Sequence, residues 1–200
     1  NYSNNIIMNL TTAILIIIGG LGFFVIYDIF SFKKNKRLRT HSKIVLTMSF
    51  SLLVFGTFYF YFSEYGISLL QAFFQSVTAR TAGFNTIDIG NLNNAGVVLM
   101  MFLMFVGASP GSTGGGIKTT TMFTIILSII RIPTHSNVKA FYRKISDSSI
   151  IKAFLVATLA MFAILITGGI IFSIEGNAFS FEEVIFECVS AFATVGLSMG

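Results

Sequence analysis

Tryptophan is absent from this 200-residue chain, cysteine occurs once, proline twice, and charged residues make up 10% beside 54% hydrophobic residues. Each shortage excludes something. Soluble domains carry about 25% charged residues, so so little charge marks an integral membrane protein. The lone Cys188 rules out an internal disulfide. Without Trp, an aromatic belt at the membrane interface must be built from Tyr and the 23 Phe. No Met or basic stretch precedes the first apolar run, so residues 1–32 do not read as a signal peptide. No Ser–His–Asp or paired-carboxylate set falls at membrane depth, which argues against an enzyme. His41 and His135 have no Cys, Asp or Glu at ligand spacing, so no resident metal site is expected.

Four apolar segments are present, roughly 6–32, 44–62, 95–131 and 151–174. A spanning helix needs about 20 residues. The third segment is too long for one plain span and is interrupted in its middle. The net charge of +5 is carried unevenly. Of 13 Lys and Arg, six are Lys33, Lys34, Lys36, Arg37, Arg39 and Lys43, and five are Arg131, Lys139, Arg143, Lys144 and Lys152. The other connections hold Glu64, Asp88, Glu175, Glu182 and Glu183. The positive-inside rule places both basic loops in the cytoplasm. Beside a membrane span, a run such as Lys33–Lys43 reads as a topology signal or partner surface rather than a nucleic-acid patch.

One short pattern is written twice. Residues 73–84 end in Ala79-Arg80-Thr81-Ala82-Gly83-Phe84, and 113 residues later 186–197 end in Phe192-Ala193-Thr194-Val195-Gly196-Leu197. Each is an apolar stretch closed by Thr-x-Gly and a bulky residue, following a hydrophobic run and an acidic outer turn. That is the layout of a pore loop: a half-helix enters the bilayer and a Gly-containing strand turns its carbonyls toward an axis, where they replace an ion's hydration shell. Thr81, Ala82 and Gly83, with Thr194, Val195 and Gly196, are the candidate ion ligands. Two purely structural re-entrant loops are the competing reading, but non-helical backbone at membrane depth is tolerated only when buried in protein or lining water.

The expected order is a span over 6–32, a returning span over 44–62, a pore helix at 70–79, a filter at 80–86, and an external loop at 88–94. The broken span 95–131 follows, then a cytoplasmic stretch that could hold an interfacial helix, a span at 151–174, a second pore helix at 180–191 and a second filter at 193–197. In units, 1–40 is the outgoing helix of a preceding repeat with its basic loop, and 41–132 is one complete helix–pore–broken helix repeat. Residues 133–150 are a cytoplasmic connection, and 151–200 are the first helix and pore loop of the next repeat. The chain thus reads as a piece of a longer protein, cut on both sides.

The interruption in the third segment runs from Gly107 to Lys118 and contains Pro110 with Gly107, Gly111, Gly114, Gly115 and Gly116. About 12 helical residues on each side, at 1.5 Å per residue, put it near mid-membrane. Such discontinuities line cavities or ion paths; a simple kink needs one Pro or a Gly pair. Gly111 and Gly116 have the spacing of a nucleotide P-loop, but Ile117 stands where its lysine belongs, so nucleotide binding is rejected. The segment reads as a flexible gate made of Gly107, Gly111, Ser112, Thr113, Gly114, Gly115, Gly116 and Lys118. Lys118 places a costly charge deep in the membrane or snorkels to the cytoplasm. Arg80 is expected to turn behind the filter toward a carboxylate, Glu187 or Asp88. Gly19, Gly20 and Gly22, and Gly168 and Gly169, read as helix-packing positions. Met100, Met101 and Met104 read as lipid-facing or packing residues.

The stretches Ala79–Thr86, Gly111–Lys118 and Ser190–Ser198 together resemble the Trk/Ktr/HKT superfamily of potassium transporters, nearest to the membrane subunits of bacterial Ktr systems, over essentially the whole chain. The resemblance implies an all-α membrane protein with helix–pore loop–helix units arranged pseudo-fourfold around one pore. It also implies K⁺ coordination by the filter carbonyls, and a gate in the broken helix. The chain itself would need no cofactor. It would form a homodimer in the plasma membrane, seated on a cytosolic ring of nucleotide-binding regulatory subunits. An ion-coupled secondary transporter of another small solute is the alternative; it calls for polar side chains at the breaks, where Gly dominates. A membrane sensor without transport would leave two filters unexplained.

Overall fold

The computed structural model describes residues 5–131, 133, 138–176 and 178–200, with the side chains of 33–35 outside the description. His135 and most of the segment after Arg131 lie outside the described residues. Helices dominate. In chain order they are α1 (Ile6–Leu21), α2 (Phe23–Asn35), α3 (Thr40–Ser63), α4 (Leu69–Thr78), α5 (Asn94–Phe105), α6 (Thr119–Arg131), α7 (Asp147–Glu175) and α8 (Phe181–Phe192). Two of them, α3 and α7, are long and apolar enough to cross a membrane singly.

The apolar segment 6–32 is not one straight span. It breaks at Gly22, and α2 turns 99° away from α1. Gly22 has φ +85° and ψ 150°, a backbone region that essentially only Gly occupies. Gly22 is therefore a hinge residue, not the helix-packing residue expected from sequence. Among the described residues a Cβ at Gly19, Gly20 or Gly169 would meet nothing within 4 Å, whereas one at Gly168 would meet the Ile185 side chain at 2.7 Å. Among these glycines packing holds for Gly168. The connection between α6 and α7 also differs from expectation. Lys139–Ala140 and Arg143–Lys144 pair as antiparallel strands β1 and β2 of a small hairpin, rather than an interfacial helix.

The short helices α4 and α8 begin alike. Ser68 caps α4 with Gln71 reaching back, and Ser180 caps α8 with Glu183 reaching back, a capping box in each case. These boxes lie 112 residues apart, whereas the Thr-x-Gly motifs lie 113 apart. In register with the boxes, Phe74 matches Phe186, and both are buried. The helix register is thus shifted by one from the motif alignment, and α8 has one more residue before its Thr-x-Gly.

The core gathers where α3, α5 and α8 meet. Phe60, Met100, Leu103, Met104 and Phe186 are all fully buried there, so Met100 and Met104 pack inward and do not face lipid. α4 lies against α3 and α1, and α8 against α7 and α5. The outer surface of α7 is apolar and exposed at Leu155, Leu159, Phe162 and Ile166, as a lipid-facing side must be. Glu64 ties the C-terminal end of α3 to the start of α5 by accepting from the Asn93 N–H at 3.2 Å. Burial raises its carboxyl pKa above the ordinary value, and that hydrogen bond offsets only part of the rise.

Close approach of α3, α4 and α5 depends on Gly56. A Cβ there would strike the Ser76 hydroxyl and reach Leu103 at 2.9 Å. Gly56→Val is therefore expected to destabilise the full-length protein by about 1–3 kcal/mol, the usual cost of overpacking. A thermal unfolding midpoint in detergent equal to wild type would mean that the helices can separate there without cost.

Candidate functional site

The two Thr-x-Gly segments share an unusual backbone. Thr81 and Gly83 have φ of 74° and 76°, and Thr194 and Gly196 have φ of 55° and 84°. A β-branched residue at positive φ is a genuine outlier, and here it recurs at the same motif position. The intervening Ala82 and Val195 keep negative φ. Carbonyls of an extended strand alternate in direction, and reversing φ at every second residue undoes that alternation. Among the described residues, none of the carbonyls of Thr81, Ala82, Gly83, Thr194, Val195 or Gly196 accepts a backbone hydrogen bond.

The next carbonyl along is held differently. The Thr78 hydroxyl, in the last turn of α4, donates to the Phe84 carbonyl. The Ser190 hydroxyl of α8 donates to the Leu197 carbonyl at 2.6 Å. Thr78 and Ser190 stand 112 residues apart, in the register of the capping boxes. The extra residue in the second segment is taken up in its turn. Ala82 N–H donates to the Thr78 carbonyl four residues back, and Val195 N–H to the Ser190 carbonyl five back. These two hydroxyls were missed in the sequence; reading the register from Ser68-x-x-Gln71 and Ser180-x-x-Glu183 would have found them. The segments also face each other: a Cβ at Gly83 would run into the Val195 carbonyl, whereas one at Gly196 meets nothing within 4 Å.

The loop between α5 and α6 lies across one end of both segments. Gly115 N–H donates to the Thr194 hydroxyl at 2.8 Å, and a Cβ at Gly114 would collide with the Thr81 hydroxyl. The loop also crosses itself. Gly107 and Gly116 touch so closely that a Cβ on Gly116 would stand 2.9 Å from the Gly107 Cα. Ala108 N–H donates to the Gly115 carbonyl at 3.2 Å and Ile117 N–H to the Phe105 carbonyl at 3.0 Å. Inside, the Thr119 hydroxyl donates to that of Ser109 at 3.0 Å, both fully buried. The glycines thus serve close packing, and the loop is a folded plug. The sequence suggested a segment poor at forming a fixed structure, because glycine's freedom and its small size are indistinguishable there. Thr113 is exposed, while Gly111 packs on Phe24, whose ring a Cβ would approach to 2.9 Å.

Both charges expected near the site have other partners. Lys118 donates from Nζ to the Gly114 carbonyl at 2.6 Å and staples the loop closed. Arg80 is 8% exposed and, among the described residues, meets no carboxylate. Its guanidinium donates to the Ser49 carbonyl at 3.4 Å and hydroxyl at 3.2 Å on α3. Glu187 accepts from Met199 N–H at 3.1 Å, and Asp88 accepts from Asn91 Nδ2 at 2.9 Å. Those two carboxylates hold the chain beyond each segment instead of pairing with Arg80.

Residues 43–200 match the family model described as the cation transport protein TrkH. The chain is 35% identical to the potassium/sodium uptake protein NtpJ of Enterococcus hirae over 98% of its own length and 46% of that protein's. It is 34% identical to the Ktr system potassium uptake protein B of Bacillus subtilis, over 100% of this chain and 47% of the relative. The figure is 37% for the protein of the same description from Vibrio alginolyticus, with the same coverage. The chain spans just under half the length of these curated relatives. The crystal structure of the potassium transporter TrkH from Vibrio parahaemolyticus shares the fold, with a TM-score of 0.70 at 16% identity over 98% of this chain and 46% of that one. The chain belongs to the TrkH family of cation transport proteins.

Proposed function

We propose that the full-length protein takes up K⁺ across the plasma membrane, through a filter to which Thr81, Ala82, Gly83, Thr194, Val195 and Gly196 contribute carbonyls. The observation that carries this is the repeated pair of positive-φ residues with unpaired carbonyls between them. Carbonyls free of hydrogen bonds at membrane depth need water or a cation. Two further segments of this kind, outside the chain, would complete a pseudo-fourfold ring. The plug Gly107–Gly116 is the gate, because an ion leaving the Thr end of either segment meets Gly114 and Gly115 first. Lys118 acts by holding the plug, through Gly114, and by adding positive charge beside the path. Regulation comes from a cytosolic nucleotide-binding ring under a homodimer, docked on the basic loops; no cofactor is needed within this chain.

The two filter glycines should differ. Gly83→Ala meets both backbone strain and the Val195 carbonyl, and should abolish K⁺/Na⁺ discrimination. Gly196→Ala meets only the positive φ, about 1–2 kcal/mol, and should keep part of it. Equal, wild-type discrimination in both variants, measured as ion uptake in cells, would remove the filter assignment.

Removing Ser112–Gly115 should raise K⁺ flux into liposomes and weaken its dependence on the cytosolic partner. Lys118→Ala should act in the same direction, more weakly, since it loses one charge-assisted hydrogen bond of about 1.5–3 kcal/mol. Flux and regulation matching wild type in a folded deletion variant would place the gate elsewhere.

The topology is testable with an impermeant thiol reagent applied outside cells. Asn91→Cys, in the loop beyond the first segment, should react, and Tyr142→Cys, at the hairpin tip between β1 and β2, should not. The opposite pattern would invert the assignment of sides.

A further inference from the structure

The bend in the first span and the plug complete each other's backbone hydrogen bonds. Where α1 stops, the Gly20 carbonyl accepts from Ser109 N–H at 3.0 Å, and where α2 starts, Phe23 N–H donates to the Gly111 carbonyl at 3.0 Å. Gly22 sits between them, and a Cβ there would stand 2.5 Å from the Pro110 carbonyl oxygen and 3.3 Å from the Ser112 nitrogen. The Phe24 ring covers Gly111 from the same side. Helix ends leave such groups unpaired, and at membrane depth they must be satisfied inside the protein. Each break therefore supplies what the other lacks.

We propose that the Gly22 hinge is the latch of the plug, so that the plug leaves the ion path only as α1 and α2 straighten into one helix. This deepens the reading of the plug as a gate and rests on it. On the side of the span the exchange conserves hydrogen bonds, while Ser109 N–H and the Gly111 carbonyl are freed with the plug. In a continuous helix the Gly20 carbonyl would accept from Phe24 N–H, and Phe23 N–H would donate to the Gly19 carbonyl, by the ordinary four-residue spacing. Straightening thus satisfies the groups on the span that the plug releases. A plug that left while the bend persisted would strand both groups in an apolar surrounding. The far part of α2 offers a handle. Asp28 accepts from Arg39 N–H at 2.8 Å and from the Ser42 hydroxyl at 2.7 Å, and pairs with the Arg39 guanidinium at 3.5 Å. A force on the basic segment Lys36–Lys43 would therefore reach the hinge through α2.

The test is a distance across the hinge. Spin labels at Leu15→Cys and Phe30→Cys, in a full-length Cys188→Ala background, flank it. At 1.5 Å per residue the helix axes at these positions stand roughly 15 Å apart when bent and roughly 22 Å apart when straight. Deleting Ser112–Gly115 should lengthen the label separation by about 7 Å. With the plug intact, Gly22→Ala should do the same and raise K⁺ flux into liposomes roughly tenfold, as expected when strain of this size penalises the bent form. Phe24→Ala, a milder change, should move both readouts the same way. Unchanged separation in the deletion and Gly22→Ala variants overturns the latch, even if flux rises, and leaves the gate reading intact. Lengthening with unchanged flux supports the coupling and overturns the gate. Should the deletion fail to fold, Gly22→Ala and Phe24→Ala decide the matter alone.

Discussion

A backbone group that leaves a helix inside a bilayer has no water to turn to, and leaving it unpaired costs several kcal/mol. This chain leaves its helices at Gly22, at Gly107–Lys118 and at both Thr-x-Gly segments, and the rest of the structure answers those departures. The bend and the plug exchange backbone hydrogen bonds. The plug uses Lys118 to occupy the Gly114 carbonyl and the Thr194 hydroxyl to occupy the Gly115 N–H. Hydroxyls of Thr78 and Ser190 take the Phe84 and Leu197 carbonyls. Among the described residues the carbonyls between, from Thr81 to Gly83 and from Thr194 to Gly196, accept no backbone hydrogen bond, and on the proposed reading an ion is their partner.

Glycine enters this arrangement for two separate reasons. At Gly22 and Gly83 the positive φ and the lack of room act together. At Gly107, Gly114 and Gly115 the backbone lies outside the left-handed region and only space is at issue, since any Cβ would enter a neighbouring carbonyl or hydroxyl. A plug assembled this way is well fitted in one position and loses most of its contacts on any shift. That suits a barrier with two discrete states, because packed elements switch between arrangements instead of deforming continuously.

Much of this was legible in the sequence. The long apolar helices, the two short helices and the broken segment follow from apolar length and from Gly and Pro placement, and the short helices α4 and α8 fall within a residue or two of their expected bounds. The candidate site residues stood out because Thr-x-Gly is written twice. What could not be read was partnership. Arg80 looked for a carboxylate, by the rule that buried charge is paired, and found a serine of α3 instead. The bend at Gly22 was hidden because three glycines in a span are equally consistent with close packing, and only the positions of Pro110 and Gly111, some ninety residues on, decide between the two. The hairpin at Lys139–Lys144 sits in a polar stretch with no periodicity to read.

The one-residue difference between the two segments bears on how a filter of the proposed kind could be built from unlike parts. Identical segments around an axis have their carbonyl levels fixed by symmetry. Here the second segment has an additional residue after the hydroxyl donor, and its Val195 N–H reaches one residue further back than Ala82 N–H does. The residues flanking Thr and Gly also differ, Ala82 against Val195 and Phe84 against Leu197. Despite this, Thr and Gly hold positive φ in both, 74° and 76° in the first segment and 55° and 84° in the second. The common element is the pair of hydroxyls, each drawing the first carbonyl beyond Gly back toward its own helix. Fixing that carbonyl sets where the row of free carbonyls ends, whatever the length of the turn before it. Thr78 and Ser190 thus do for two unlike segments what symmetry does for identical ones.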